Sequence, residues 1–466
     1  MRGRRSRTAC PSRRPPATVS PSPAPSRSSA AVADRRPIAF FGDDFTGSTD
    51  VVLQLEQRGL RTTLFLMTPT LEQLREAVSQ VDAVGIAGTT RAMHRTEIGR
   101  EVDAAFEMFA ELDPAIVQYK ICSTADSSPD IGSIRPALEA GRRLFGPRPV
   151  PIMCAQPSIG RFTVFGNLFV DDGRTVTRLD RVPAMANHPS TPMHEADLRR
   201  HFAAQIERNV EGLGLLDIRG GLADEIVAGL HDTACVAYVV DSLDQGDVGV
   251  VGRAILDHVE DGGTLFGIGS GGLTAALADA LTDGSTAPPI PLSIAGEDRI
   301  VVVSGSASPR SAEQVDAAAE SGWATLHLDP SLIGGPEEGR IVDEALAALR
   351  SGSSVVVYTA HTDIPRSAVP VDAEVVGRAL GRIVARARIE AGVERALVAG
   401  GDTSGYAVRE IGAERFTPVA VVDDSVLLGR LDGGDAQLHG LEIALKGGQM
   451  GRVDLYDRVR RGNGAV

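Results

Sequence analysis

From residue 37 onward, short apolar runs alternate with stretches whose apolar positions recur every three or four residues. "PIAFFG" predicts a strand and "TDVVLQLEQRG" a helix stopped at Gly59. "RTTLFLM", "VDAVGIAG" and "AIVQYKIC" repeat the strand pattern, with helices predicted over "TLEQLREAVSQ" and "TEIGREVDAAFEMFAEL" between them. This βαβαβαβ rhythm predicts a mostly parallel sheet with helices on both faces. Near residue 146 the pattern tightens: "PVPIMCAQP", "FTVFGNLFV" and "RTVTRLD" read as strands in hairpins, with a turn at Asp172–Gly173. "GLGLLDIR", "ACVAYVVDS" and "GTLFGIGS" then read as strands of the alternating mode. Residues 281–299 are rich in Pro, Gly, Ser and Thr and mark a domain boundary. Beyond it "IVVVSGS", "ATLHLD", "SVVVYTA", "RALVAGG" and "TPVAVVD" predict a second set of strands. The expected fold class is α/β, with two domains (37–285 and 299–466, linker 286–298), each a mostly parallel sheet flanked by helices, and the active site in the cleft between them.

Composition sharpens this picture. Aromatics are only 4% of the 466 residues, so the core must be aliphatic, which suits α/β architecture. The formal charge is −14, although residues 1–36 hold nine Arg and one Asp; the rest of the chain is therefore strongly acidic and has no basic face for nucleic acid. That basic Ser/Pro/Ala-rich tail has too little apolar surface to offset its ordering entropy and is expected to be disordered. No apolar stretch reaches the ~18 residues of a membrane span. The four cysteines are scattered, without CxxC or a metal-ligand spacing, as in a reducing cytoplasm.

Candidate chemistry gathers at the predicted strand ends, where parallel α/β sheets bind ligands. "AFFGDDFTGSTD" puts Asp43 and Asp44 side by side after a buried strand. Two adjacent carboxylates repel, and burial of either without a partner is costly. Substrate hydroxyls, a metal or a cationic side chain would satisfy them; capping a helix that starts near Thr49 is the plainer explanation. Arg91 follows the third strand, and Lys120, Ser123, Thr124 and Asp126 follow the fourth. Arg91 and Lys120 together could hold a substrate carboxylate. In the second half three glycine loops follow strands: Ser304-Gly305-Ser306, then Gly400-Gly401 with Asp402 and Thr403, then Lys446 before Gly447-Gly448. Such loops let backbone N–H groups approach phosphates, with Lys446 as a point charge; turn glycines and helix caps use the same residues. None matches a P-loop, and none is a full dinucleotide fingerprint, although "GIGSGGLTAAL" approaches that spacing.

Taken in order, "GDDFTGSTD", "TTRAM", "YKICST", "HPSTPM", "VVSGSASPRSAEQ", "GGDTSGYAVREIG" and "LKGGQMGRVDLY" resemble the four-carbon acid sugar kinase family over residues 37 to about 458. The resemblance implies an acid-sugar-binding N-terminal domain, an ATP-binding C-terminal domain, and transfer of the γ-phosphoryl group to a terminal hydroxyl of threonate, erythronate or a 3-oxo-tetronate. It assigns the acid sugar to Asp43, Asp44, Arg91 and Lys120, and the nucleotide to Ser304, Gly400–Thr403 and Gly447–Gly448. Asp44 is then the expected proton acceptor, Asp43 the second choice, and Asp402 the expected Mg²⁺ residue. The family commonly carries K-x-D-S-T-L-R-G where this chain has "KICSTADSSPDIG", so Cys122 replaces an acid and a branched acid such as 3-oxo-isoapionate becomes a candidate substrate. The expected partners are the acid sugar and ATP, in a cytoplasmic enzyme that pairs, if at all, as a homodimer. The competing readings are an NAD(P)-dependent dehydrogenase and a non-catalytic sugar-acid sensor.

Overall fold

A computed structural model describes residues 36–188, 190–231, 233–259, 262–282, 294–364, 371–423 and 426–462. The basic tail up to residue 35 and most of the expected linker lie outside these residues, as does the side chain of Asp402. The first half contributes β1 (Ile38–Gly42), β2 (Thr62–Phe65), β3 (Ala83–Ala87), β4 (Ile116–Lys120), β5 (Val150–Met153), β6 (Arg161–Val164), β7 (Asn167–Asp171), β8 (Val176–Arg178), β9 (Glu211–Leu213), β10 (Ala237–Val240) and β11 (Leu265–Gly269). The second half contributes β12 (Val301–Ser304), β13 (Ala324–His327), β14 (Val355–Tyr358), β15 (Arg395–Ala399), β16 (Arg415–Asp423), β17 (Val426–Asp432) and β18 (Glu442–Lys446).

Each half forms the mostly parallel block that the alternating pattern predicts. In the first, β3, β1, β4, β11 and β5 lie side by side and parallel. The chain winds outward through β2 and β3, then returns across β1 to β4, so the switch point lies between β1 and β4. In the second, β14, β12, β15 and β18 are parallel neighbours, and the switch point lies between β12 and β15. The strand sequences did not show how the blocks join. The antiparallel hairpin β16–β17 pairs with β18 on one side and with β2 on the other, where Arg415 faces Phe65 and Phe416 faces Leu64. The result is a single 15-stranded sheet.

Three antiparallel pairings between β18 and β2 reverse the strand direction of one block relative to the other. Sheet twist turns them back. At roughly 20–25° per step, the steps from β15 to β1 accumulate a rotation on the order of 120–150°, which swings the carboxyl edges of the two blocks toward each other. The aliphatic core follows the same plan. On one face it runs unbroken through both halves, from Val52 and Leu53 to Val303, Val398 and Leu445; on the other it divides into two clusters.

Two segments depart from their predicted form. "FTVFGNLFV" is two strands, β6 and β7, joined by a turn at Phe165 (φ 52°) and Gly166 (φ 77°). Phe is a poor residue for a left-handed turn position. The buried Asp241 carboxylate compensates by accepting from the amides of Phe165 (2.7 Å), Gly166 (2.9 Å) and Leu215 (3.0 Å). β6, β7 and β8 form a small separate sheet, whereas "PVPIMCAQP" supplies β5 of the large one. "GLGLLDIR" is a short strand followed by the helix Leu215–Arg219.

The helix Gly271–Leu281 starts hard against the end of β5: a Cβ on Gly272 would lie 1.9 Å from the Ala155 carbonyl oxygen. Because the obstacle is backbone, Gly272→Ala is expected to destabilise the protein by about 1–3 kcal/mol, measurable as a fall in the denaturant midpoint at unchanged slope.

Candidate active site

The adjacent aspartates are reconciled by a single guanidinium. Gly88 N–H donates to the Gly42 carbonyl (2.8 Å) and Arg91 N–H to the Asp43 carbonyl (3.0 Å), which lays the loop after β3 over the end of β1. From there the Arg91 side chain grips both carboxylates. Nε and Nη2 donate to Asp43 (3.1 and 2.7 Å), and Nη1 and Nη2 donate to Asp44 (both within 2.8 Å). Both aspartates are 5% exposed. Burial opposes the Arg91 charge, but Asp43 and Asp44 outweigh it and hold its pKa above the usual value. Burial raises Asp43 to about 6 against the pull of Arg91, with Asp44 adding like-charge repulsion.

Asp44 is also the N-cap of the helix Phe45–Glu56, its Oδ1 accepting from Gly47 N–H at 2.8 Å. The helix therefore begins at Phe45 rather than near Thr49. Capping and site chemistry are performed by the same carboxylate. Four of the five Arg91 N–H donors are thus occupied by the aspartates, which leaves one for any other acceptor.

Lys120, at the end of β4, is buried; its Nζ donates to the Ile121 carbonyl (2.9 Å) and lies 3.9 Å from Asp50 Oδ2. Asp50 also accepts from Gln156 Nε2 (3.0 Å) and abuts the start of the helix Gly271–Leu281. Asp50 closes the "GDDFTGSTD" stretch, yet no spacing rule points across the fold to Lys120 and Gln156. Beyond Lys120, Thr124 donates to Asp126 (2.8 Å) and touches Cys122 Sγ, and Ser123 is half-buried beside them. Ala125 adopts φ 51°, a left-handed conformation in a non-glycine residue. Burial pushes the Cys122 thiol up to about 12, so it is a neutral group at physiological pH.

The three glycine loops converge because their strands β12, β15 and β18 are neighbours. Gly305 N–H donates to the Ala399 carbonyl (2.9 Å) and Gly400 N–H to the Lys446 carbonyl (3.0 Å). Gly400 (φ 128°) precedes the helix Gly401–Ile411, which has no side-chain N-cap. A Cβ on Gly305 or Gly400 would strike Thr403, and one on Gly448 would strike Ser306 Oγ. The hydroxyls of Thr403 and Thr46 are buried without hydrogen-bond partners. Buried hydroxyls are normally paired, so two orphans beside glycine amides mark a place prepared for polar atoms.

Lys446 is not the exposed point charge that the sequence suggests. Its ammonium turns inward to Gln314 Oε1 (2.6 Å), Ser311 Oγ (2.9 Å) and the Gly448 carbonyl (3.3 Å). It thereby ties the 447–448 loop to the helix Pro309–Glu320. Burial, reinforced by the nearby Arg310 charge, lowers its pKa to about 7. The two sets of residues meet across the crevice. A Cβ on Gly401 would lie 3.9 Å from Asp44 Oδ2, and one on Gly447 would lie 3.6 Å from Thr46 Cγ2. Asp43, Asp44, Phe45 and Arg91 line this crevice together with Gly401, Gly405 and Tyr406. The other polar residues of note stay local: His188 Nδ1 bonds Thr191 (2.9 Å to Oγ1), and His361 meets Asp316 (3.2 Å).

Comparison with known proteins places this geometry. Residues 38–277 match the family described as "Sugar-binding N-terminal domain", and residues 301–455 match "Nucleotide-binding C-terminal domain". A 3-oxo-isoapionate kinase of Paraburkholderia graminis is 35% identical, over 91% of this chain and 94% of its own. The chain belongs to the four-carbon acid sugar kinase family. A 3-oxo-tetronate kinase of Methylobacterium radiotolerans is 31% identical, over 89% of this chain and 96% of its own. A solved Salmonella typhimurium LT2 protein shares the fold, with a TM-score of 0.71 at 23% identity, over 92% of this chain and 99% of that one. Relatives named as kinases and a nucleotide-binding half favour ATP-dependent phosphotransfer by this acid sugar kinase over the dehydrogenase and sensor readings. Among the described residues, no helix is long and apolar enough to cross a membrane.

The buried Lys446 has a consequence for stability. Between pH 7 and the ordinary lysine value of 10.5 the folded protein binds fewer protons than the unfolded chain, so stability rises with pH in that window. Lys446→Met removes this dependence. Denaturant unfolding between pH 7 and 9 is expected to show the wild type gaining up to about 1.4 kcal/mol per pH unit relative to the variant; parallel stability curves would contradict the buried, depressed ammonium.

Proposed function

We propose that the protein transfers the γ-phosphoryl group of ATP to a terminal hydroxyl of a 3-oxo or branched four-carbon acid sugar, with 3-oxo-isoapionate as the first candidate. The observation that carries this reading is the approach of Asp44 Oδ2 to Gly401, since it puts a proton acceptor and the phosphate-binding amides in one crevice. Asp44 Oδ1 already accepts two hydrogen bonds, from Gly47 and Arg91, whereas Oδ2 accepts one and is turned to the nucleotide side. The substrate hydroxyl gives its proton to Oδ2 as its oxygen attacks the γ-phosphorus. The bond from that phosphorus to the β–γ bridging oxygen breaks, and ADP leaves. Asp43 and Arg91 form the other half of this unit. Arg91 holds both carboxylates in place, and burial raises the proton affinity of Asp43 beside the assigned base.

The amides at Gly305, Gly400–Gly401 and Gly447–Gly448, with Thr403 and Ser304, are assigned to the phosphates. Lys446 holds the last of these loops from beneath. Phosphoryl transfer depends on positioning and charge neutralisation more than on covalent help from the protein. Mg²⁺ held at Asp402 would supply part of that neutralisation. Among the described residues no cluster of three His, Cys, Asp or Glu forms a metal cage, and Mg²⁺ in nucleotide sites commonly needs only one or two carboxylates. Asp402, at the start of the helix after Gly400, remains the residue assigned to it. The 3-oxo-isoapionate preference rests on the identity to the Paraburkholderia enzyme and on the neutral thiol of Cys122 in the acid-sugar loop.

A coupled ATP-consumption assay over 3-oxo-isoapionate, 3-oxo-tetronate and threonate tests the assignment; the highest kcat/KM is expected for the branched acid, and no ATP consumption with any of them refutes the reading. Asp44→Asn should lower kcat about 10²–10⁴-fold while leaving the helix cap intact, because Asn caps as well. The acidic limb of kcat/KM should fall near pH 6, following the raised Asp43. In Asp43→Asn the limb near pH 6 should disappear, because the raised carboxyl that produces it is gone; an unmoved limb would show that Asp43 is not the group it reports.

A further inference from the structure

Arg91 has only one N–H donor left for a substrate carboxylate. Four of the five guanidinium N–H donors of Arg91 point at Asp43 and Asp44. Lys120 remains, but Asp50 already stands near it. Around the same strand ends there is a second arginine in the opposite condition. Arg161 follows a tight turn at Gly160 (φ 70°), where a Cβ would press on Asp171 at 2.9 Å. Its Nη1 reaches only backbone carbonyls, those of Ile159 (2.9 Å), Gly160 (3.2 Å) and Asp171 (3.5 Å). Its Nε is buried with no partner, and no carboxylate of the described residues reaches it within ion-pair distance. The charges that it feels are farther off, at the Cys122 loop, at Asp126 and at Asp171, and burial lowers its pKa. A sequestered cation without a counter-ion is costly to maintain.

The surroundings match one kind of ligand. Arg161 and Gln156 pair through their backbones, Gln156 N–H to the Arg161 carbonyl at 2.8 Å and Arg161 N–H to the Gln156 carbonyl at 3.2 Å. The Gln156 side chain is 2% exposed; its Nε2 binds Asp50, and its Oε1 is buried without a partner. An unpaired donor on a cation and an unpaired acceptor beside it suit a carboxylate with a neighbouring hydroxyl. The position also fits. The charges nearest Arg161 belong to Cys122 and Asp126, in the loop after β4, and Gln156 shares Asp50 with Lys120 at the end of that strand.

We infer that Arg161 binds the carboxylate of the acid sugar, with Gln156 Oε1 accepting from the adjacent hydroxyl, and so fixes which end of the substrate faces ATP. This rests on the acid sugar kinase reading and adds the anchor that selects acids over neutral sugars. Binding to the full chain is measured calorimetrically for 3-oxo-isoapionate, 3-oxo-tetronate and threonate, and for the uncharged polyol threitol; turnover is measured in parallel. Arg161→Gln is expected to weaken acid binding and raise KM for the acid about 10–100-fold, to leave KM for ATP unchanged, and to erase the preference for acid over threitol. Arg161→Lys should restore part of that preference, and Gln156→Glu, which sets a carboxylate under the guanidinium, should weaken acid binding. If Arg161→Gln stays folded and keeps the wild-type preference for acids, or raises KM for ATP equally, the inference is overturned. Acid binding that depends on Arg161 without ATP consumption would overturn the kinase reading alone. Absence of acid binding by the wild type would overturn both.

Discussion

The interaction on which the site depends is the grip of Arg91 on Asp43 and Asp44. Two carboxylates on consecutive residues, both buried, could not remain ionised without a cation placed between them. Arg91 supplies it from a neighbouring strand, and the geometry costs the protein its most obvious substrate-binding fork. This one commitment shapes the remainder of the site. It leaves Asp44 free to cap a helix and to turn one oxygen toward the glycine loops. It also leaves the Arg91 guanidinium a single N–H donor outside the pair.

The fold makes the crevice by joining two parallel blocks through a short antiparallel hairpin. The continuous sheet and the core shared across one face hold the carboxyl edges of both blocks in fixed relation. Glycine enters where the halves come closest. At Gly401, Gly447 and Gly448 any side chain would occupy space next to Asp44, Thr46 or Ser306. The buried Lys446 contributes from beneath, trading charge for hydrogen bonds that fix the last loop. Under the proposed function, the phosphates would meet backbone amides and hydroxyls at these loops, with Lys446 behind them.

Much of the site was legible along the chain because its parts stand at strand ends. Asp43, Lys120, Ser304, Gly400 and Gly447 could be named from where an apolar run stops, since a buried strand that ends in polar residues or glycine is a local signal. The cap at Asp44 was legible too, displaced by one helical turn. Arg161 had no such signal. It sits in a hairpin whose turn carries Phe165 instead of Asn or Asp, and its isolation is visible only once the surrounding carboxylates are placed.

The order of apolar and polar residues by itself determined the α/β class, the two parallel blocks and the residue types available for chemistry, because periodicity and strand-end polarity are written within short stretches of chain. Tertiary structure alone decided that β2 and β16 would join the blocks, that Arg91 would grip both aspartates, and that Lys446 would face inward. Those outcomes depend on distances between residues far apart in sequence and on how much water burial removes from each charge, and no local pattern encodes either.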